Sequence, residues 1–142
     1  MTIDEIKNDI LSKTTTAVSM AQEEVYAIIE SVLKDFYDDF TPVMYKRTWQ
    51  LLHSCVKSSV RTTANGVEAD VYFDTSLMTY NTGNMPSGEQ VIEAANKAQH
   101  GAEGLHVEYG YVKLFPDSER LVMSEIMPIM KTALIKAGIP VK

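Results

Sequence analysis

A chain of 142 residues with 45% hydrophobic and 23% charged residues is long enough for one domain to bury a core without disulfides or metal. Its formal net charge of -6, with no basic feature longer than the pair Lys46-Arg47, excludes a phosphate-neutralising groove as the main binding surface, so no specific nucleic acid is expected as a partner. The single cysteine, Cys55, excludes an internal disulfide and a four-cysteine zinc site.

The opening Met1-Thr2-Ile3-Asp4-Glu5 is acidic where a signal peptide needs a basic region. No stretch approaches the roughly 20 apolar residues of a membrane span. The expectation is therefore a protein made in the cytoplasm, soluble and without a membrane partner.

From residue 2 to about 36 neither Pro nor Gly interrupts the chain. Ile3, Ile6, Ile10, Val18, Val25, Ile28, Ile29, Val32, Leu33 and Phe36 recur at helical spacing, which predicts an amphipathic helix. Thr14-Thr15-Thr16 is its weak point, because β-branched residues are poor helix formers; one long helix or two broken near Thr14 both fit. A helix of that length in so small a chain must project beyond its own core or pack on a neighbouring subunit.

Pro42 ends that helix. A second is predicted over 44–60, with Trp49, Leu52, Val56 and Val60 on one face. Asn65-Gly66 is a turn signal, and the alternation Val67, Ala69, Val71, Phe73 predicts a strand. Residues 74–88, carrying Asn81, Gly83, Asn84, Pro86 and Gly88, predict a long irregular loop. A short helix over 89–99 follows, then a loop over 100–104 and a strand through Leu105, Val107, Tyr109 and Tyr111. The last helix is predicted over 119–137, capped by Asp117 or Ser118, kinked or split at Pro128 and stopped by Gly138 and Pro140. The fold class expected is α+β: a small antiparallel sheet flanked by helices, with a long N-terminal helix. The domain organisation expected is a single domain over 1–142, with a helical N-terminal segment over 1–36 and a sheet-and-helix core over 37–142. Two strands make a marginal sheet, so a third hides in the long loop or another subunit completes it.

Catalytic signals are weak. His53 and Cys55 lie two apart on a predicted helix and so point to different faces; Cys55 reads as a small buried hydrophobe. His100 and His106 near Glu103 and Glu108 lack the helical spacing of a zinc site, and His100 before Gly101 reads as closing a turn. Phosphate-loop, dinucleotide and serine-hydrolase motifs are missing, so no catalytic residue, cofactor or metal is assigned. Met123, Met127 and Met130 could form an adaptable binding face, but core packing is the simpler reading.

The densest cluster is Tyr45-Lys46-Arg47-Thr48-Trp49 beside Phe36-Tyr37-Asp38-Asp39-Phe40. An ion pair between Arg47 and one of these aspartates is the plain explanation. An interface anchor is the functional one, since Tyr, Trp and Arg dominate binding hot spots.

Here the sequence resembles a family. The segment over 36–51, with Phe36-Tyr37, Pro42, Tyr45-Lys46-Arg47-Thr48 and Leu51, resembles the small phage minor tail or tail-completion proteins, also called head–tail joining proteins. The likeness continues through Val71-Tyr72-Phe73-Asp74, Tyr80, Gly83, Ser87-Gly88-Glu89, Asn96, His100-Gly101 and the closing Ala137-Gly138-Ile139-Pro140. It covers the chain from about residue 36 onward. The resemblance implies a non-enzymatic virion protein of the neck, at the head–tail interface. It implies an oligomeric ring, expected to be six-fold, that touches a head connector or stopper protein on one side and a tail terminator or tail-tube protein on the other. Interface residues expected on this basis are Tyr37, Tyr45, Lys46, Arg47, Trp49, Tyr80 and His100. The rival readings are an adaptor that binds one partner through its C-terminal helix and a small hydrolase using His100 or His106.

Overall fold

Helix α1 (Ile3–Asp38) is a single unbroken helix of 36 residues, about 54 Å long at the usual rise. It starts at a capping box. The Thr2 hydroxyl accepts the Glu5 N–H and the Glu5 carboxylate accepts the Thr2 N–H. The three threonines do not break it: their hydroxyls donate to the carbonyls of Ile10, Leu11 and Ser12 at 2.8, 2.8 and 3.1 Å, which leaves the helical ladder in place.

The computed structural model describes residues 1–39, 49–79, 87–100 and 108–142, so the predicted helix over 44–60 is described only in its second part. There it is overturned. Helix α2 (Gln50–Ser54) lasts five residues and passes directly into β1 (Cys55–Lys57). Cys55, Val56 and Lys57 face Phe73, Tyr72 and Val71 of β4 (Val71–Phe73), antiparallel. Pairing with a segment distant in sequence outweighs the helical spacing of Trp49, Leu52 and Val56.

The predicted strand over 67–73 is likewise two strands. β2 (Arg61–Thr63) pairs with β3 (Gly66–Glu68), Arg61 facing Glu68 and Thr63 facing Gly66. Between the two ladders Ser58, Ser59 and Val60 oppose only Ala69 and Asp70, so the hairpin carries one extra residue, a bulge that interrupts the alternation. α1 covers the break. Gln22 Nε2 donates to the carbonyls of Ser58 and Asp70 at 2.9 and 2.8 Å. Beside it Lys57 pairs with Glu23 at 2.5 Å and lies 5.0 Å from the Tyr26 ring centre.

Within the predicted loop over 74–88, Thr75–Leu77 form a 3-10 turn whose cap is Asp74. Helix α3 (Gly88–Asn96) starts at a second capping box, Ser87 with Gln90. Gly88 packs on Thr75, where a Cβ would collide with the Thr75 carbonyl. α3 ends before the predicted residue 99, because Ala98 turns the chain with a φ of 57 into β5 (Gln99–His100). β5 pairs antiparallel with β6 (Glu108–Tyr109), Gln99 facing Tyr109 and His100 facing Glu108. His100 therefore sits in a strand and not in a turn, and the predicted strand over 105–111 is described only from Glu108 onward.

Helix α4 (Leu114–Lys136) begins five residues earlier than predicted. Two side chains make the early start possible. Asp117 Oδ2 accepts the Lys113 N–H at 2.8 Å, and Asn96 Oδ1, from the end of α3, accepts the Phe115 N–H at 2.9 Å. Pro116 falls in the first turn, where its missing donor costs nothing. Pro128 does not split the helix; it and Ser124 are both exposed, so water can reach the carbonyl that Pro128 leaves without an N–H. The end is as expected: Gly138, with φ 90, donates to Ile135 O at 3.0 Å while Ile139 donates to Leu134 O at 2.9 Å, a Schellman closure.

α1 and α4 pack antiparallel. Ala17 and Ala21 meet Ala133, small residues that let the helices approach closely, and Gly138 comes to rest against Lys13. Toward the other end Val32, Leu33 and Phe36 pack with Leu51, Cys55, Ile92 and Leu114 in the main core. The fold is α+β: a long N-terminal helix, small two-stranded antiparallel sheets and further helices. Among the described residues no third strand joins any of these sheets, and no helix is long and apolar enough to cross a membrane.

Candidate assembly interface

α4 ends alongside Lys13, yet α1 continues for about three more turns. Residues 1–12 are all exposed. On them Ile3, Ile6 and Ile10 are 72%, 43% and 53% exposed and lie on the helix face that carries Ala17 and Ala21 further along. The apolar stripe that α4 covers in the body of the fold thus runs on uncovered. Lys7 borders it on one side and the ion pair of Lys13 with Asp9, at 2.7 Å, on the other.

A second apolar surface lies on α4. Met123 and Met127 are 68% and 76% exposed, which overturns core packing for these two; Met130 alone of the three packs toward α1. Arg120 and Lys131, at positions i-3 to Met123 and i+4 to Met127, bracket them on the same face. Next to this face Ile126 and Met130 help enclose a slot of about 140 Å3 whose other walls are Val18, Ala21, Gln22, Val25, Ala69 and Val71. Sequence reading passed over this slot. Its one signal was Gln22, a polar residue among Val18, Ala21 and Val25 on the inward face of α1.

The aromatic cluster is part of the body of the fold. Tyr37 and Trp49 pack at 4.7 Å between ring centres, and Tyr37 meets Phe36 edge-on at 6.0 Å. On Phe36 the His100 ring stacks at 4.3 Å with 14° between planes. Trp49 is 43% exposed and holds a left-handed backbone, φ 61, at the start of α2. Tyr37 is half-buried, and His100 is buried. Of the expected interface residues the structure therefore brings Tyr37 and Trp49 together and puts His100 inside. Tyr45, Lys46, Arg47 and Tyr80 lie outside the described residues, as do His106 and any ion pair of Arg47.

Asp39 locks this corner. Its carboxylate accepts the N–H of Val112 at 3.0 Å and also that of Tyr111. The Val112 bond most of all, then the Tyr111 bond and the nearby His100, hold the carboxyl below its ordinary value against the opposing effect of burial. Gly110 is required beside it, since a Cβ there would overlap the carboxylate. Cys55 is buried in the core and its thiol is pushed up to about 11 by burial and by Glu30, while His53 is exposed; the two do not form a nucleophile–base pair. Among the described residues no cluster of His, Cys, Asp or Glu could hold a metal ion.

A family model described as YomN matches residues 2–136. The chain belongs to the YomN family. YomN is a phage-associated family, and at that level it agrees with the likeness to phage proteins carried by the segment over 36–51. No curated protein and no solved structure matches the chain. The match takes in all of α1, the projecting turns with Ile3, Ile6 and Ile10 included, so that end belongs to the YomN unit and is not an appendage to it.

Proposed function

We propose that this YomN-family chain is a structural component of a tailed-phage neck, joining the head connector to the tail as an oligomeric ring, and that it is not an enzyme. The observation that carries the reading is the uncovered end of α1. An apolar stripe of Ile3, Ile6 and Ile10 lies outside the chain's own core, and these residues forgo a large share, about half on average, of the roughly 1.5–3 kcal/mol that full burial of such a side chain provides. Exposed stripes of that kind mark surfaces that another protein covers. Membership in a phage-associated family and the tail-completion-like motifs support partners within a virion: a second copy of the chain, a connector or stopper, and a tail terminator or tube protein.

The test is a phage that lacks the chain. Filled heads and finished tails that fail to join, with joining restored when the purified chain is added to the lysate, is the expected outcome. Infectious particles formed without it, or particles in which the protein is never found, would defeat the reading. The adaptor alternative draws on exposed Met123 and Met127; it requires a discrete complex of fixed stoichiometry with one partner and no incorporation into particles.

A further inference from the structure

We infer that Asn65 is a self-modification site: the backbone nitrogen of Gly66 attacks its side-chain amide and expels ammonia, at a rate set by opening of the β2–β3 tip. Only the consequence for a particle rests on the assembly reading above. Of the chain's five asparagines, Asn65 alone precedes a glycine. Attack by the following nitrogen closes a five-membered imide, and a side chain on the following residue obstructs that approach; Gly66 has none. The space where its Cβ would stand is open, with nothing within 4 Å. Asn8 and Asn96 belong to α1 and α3, which hold the backbone helical, and Asn96 Oδ1 also accepts the Phe115 N–H at 2.9 Å. Asn81 and Asn84 precede Thr82 and Met85 and lie outside the described residues.

The tip is weakly held. Ala64 and Asn65 are the whole loop between Thr63 and Gly66, and both have negative φ. The two-residue turns that suit strand twist need positive φ, which is where Asn-Gly ordinarily serves; here Gly66 instead begins β3. The hairpin leans on α1 through β3, yet all of β2 is exposed and in β3 only Val67 is half-buried, so little apolar contact opposes fraying. Thr63 Oγ1 donates to Gly66 O at a long 3.3 Å, and Arg61 pairs with Glu68 and Asp70 at the surface, where such pairs hold weakly.

In the open tip the Gly66 nitrogen gives its proton to water and bonds to Asn65 Cγ. The Cγ–Nδ2 bond breaks, and Nδ2 leaves with a proton from water as ammonia. Water then opens the imide. Cleavage at the side-chain carbonyl leaves an ordinary aspartyl residue; cleavage at the main-chain carbonyl leaves an isoaspartyl one, whose backbone is longer by a methylene. Either product adds a negative charge to a hairpin where Glu68 and Asp70 already share Arg61, and the isoaspartyl form lengthens a loop that fixes the register of Thr63 against Gly66. In a virion, whose proteins are not replaced, the change would accumulate with the age of the particle.

The native full-length chain held at neutral pH for weeks tests this. One mass unit should be gained at Asn65, located by fragmentation of the digested chain, and protein isoaspartyl methyltransferase should label the same site. Asn65→Gln should show neither change there. Thr62→Cys with Val67→Cys, at directly opposed positions, clamps the tip when oxidised. The clamp should slow the gain severalfold, and reduction should return the wild-type rate. Modification at Asn65 no faster than at Asn8 and Asn96 would overturn the site, as would modification confined to Asn81 or Asn84. A clamped hairpin that reacts as fast as the open one would overturn the gating by the tip. Neither result touches the joining phenotype of the phage lacking the chain, so the two ideas fail separately.

Discussion

The Asp39 carboxylate accepts the Val112 N–H at 3.0 Å, which fastens the C-terminal end of α1 to the connection that leads into α4. With the Tyr111 N–H it satisfies two donors that the short β6 leaves unpaired. Removing the acceptor should therefore expose two unmatched backbone groups at once. Asp39→Ala is expected to cost about 1–3 kcal/mol, read as a shift in the urea midpoint at neutral pH.

The same bond has a pH signature. The folded carboxyl titrates below its ordinary value, chiefly because of the Val112 bond. A depressed folded value means that the stabilisation is complete above the unfolded carboxylate pKa of about 3.9 and is lost as pH falls through the folded one. The stability difference between the wild type and Asp39→Ala should accordingly shrink through the acid range. A difference that stays constant down to the acid unfolding limit would show that the loss came from packing and not from the charge.

Gln22 offers a second local test. Its amide closes the bulge by donating to Ser58 O and Asp70 O, while its neighbours line the slot. Gln22→Leu keeps the size and removes both donors at a part-buried site, so Ser58 O loses the amide while Asp70 O keeps the Ser58 N–H. The expected cost is about 1–3 kcal/mol, with faster amide hydrogen exchange confined to 55–73. Uniform acceleration over the whole chain would instead point to a global effect on the helices.

How much of this was legible beforehand follows from the range of each interaction. α1 could be read because its signals, the apolar period and the Thr2–Glu5 box, are local. The start of α4 could not, since one of its first-turn donors is satisfied by Asn96 from another helix. Val56 reads as helical by spacing and is a strand residue because Tyr72 lies opposite it. The bulge at Ser58–Val60 was hidden because Val67, Ala69 and Val71 keep a perfect alternation in the chain while the ladder slips by one residue in space. His100 was expected at an interface on resemblance; its stacking on Phe36 depends on a partner more than sixty residues away. The projecting stripe was foreseen as a consequence of helix length, whereas the slot, made by three separate elements, was not.

Cys55 supplies a chemical readout of the core. A thiol that is 4% exposed and pushed up to about 11 is almost wholly protonated at neutral pH and shielded from reagents. It should react with a thiol-specific dye only as fast as the core opens, and the rate should rise in parallel with unfolding by denaturant. Immediate stoichiometric labelling of the native protein would mean that the β1 end of the core is open in solution.

The sharpest contrast lies along α1 itself. Leu33 and Ile6 are both aliphatic residues on one helix, fully buried in the first case and 43% exposed in the second. Leu33→Ala removes methyl groups from the centre of the main core and should cost about 2–5 kcal/mol, since the surrounding helices can relax only in part. Ile6→Ala removes a side chain that the folded chain does not cover, in favour of a better helix former, so monomer stability should change by no more than about 0.5 kcal/mol. If assembly is what the stripe is for, Ile6→Ala should nevertheless weaken joining of heads to tails, and Ile6→Glu should weaken it further while still unfolding at the wild-type midpoint. A large loss of monomer stability in Ile6→Ala would mean that the first turns of α1 are covered by the chain itself, and the apolar end would then need no partner.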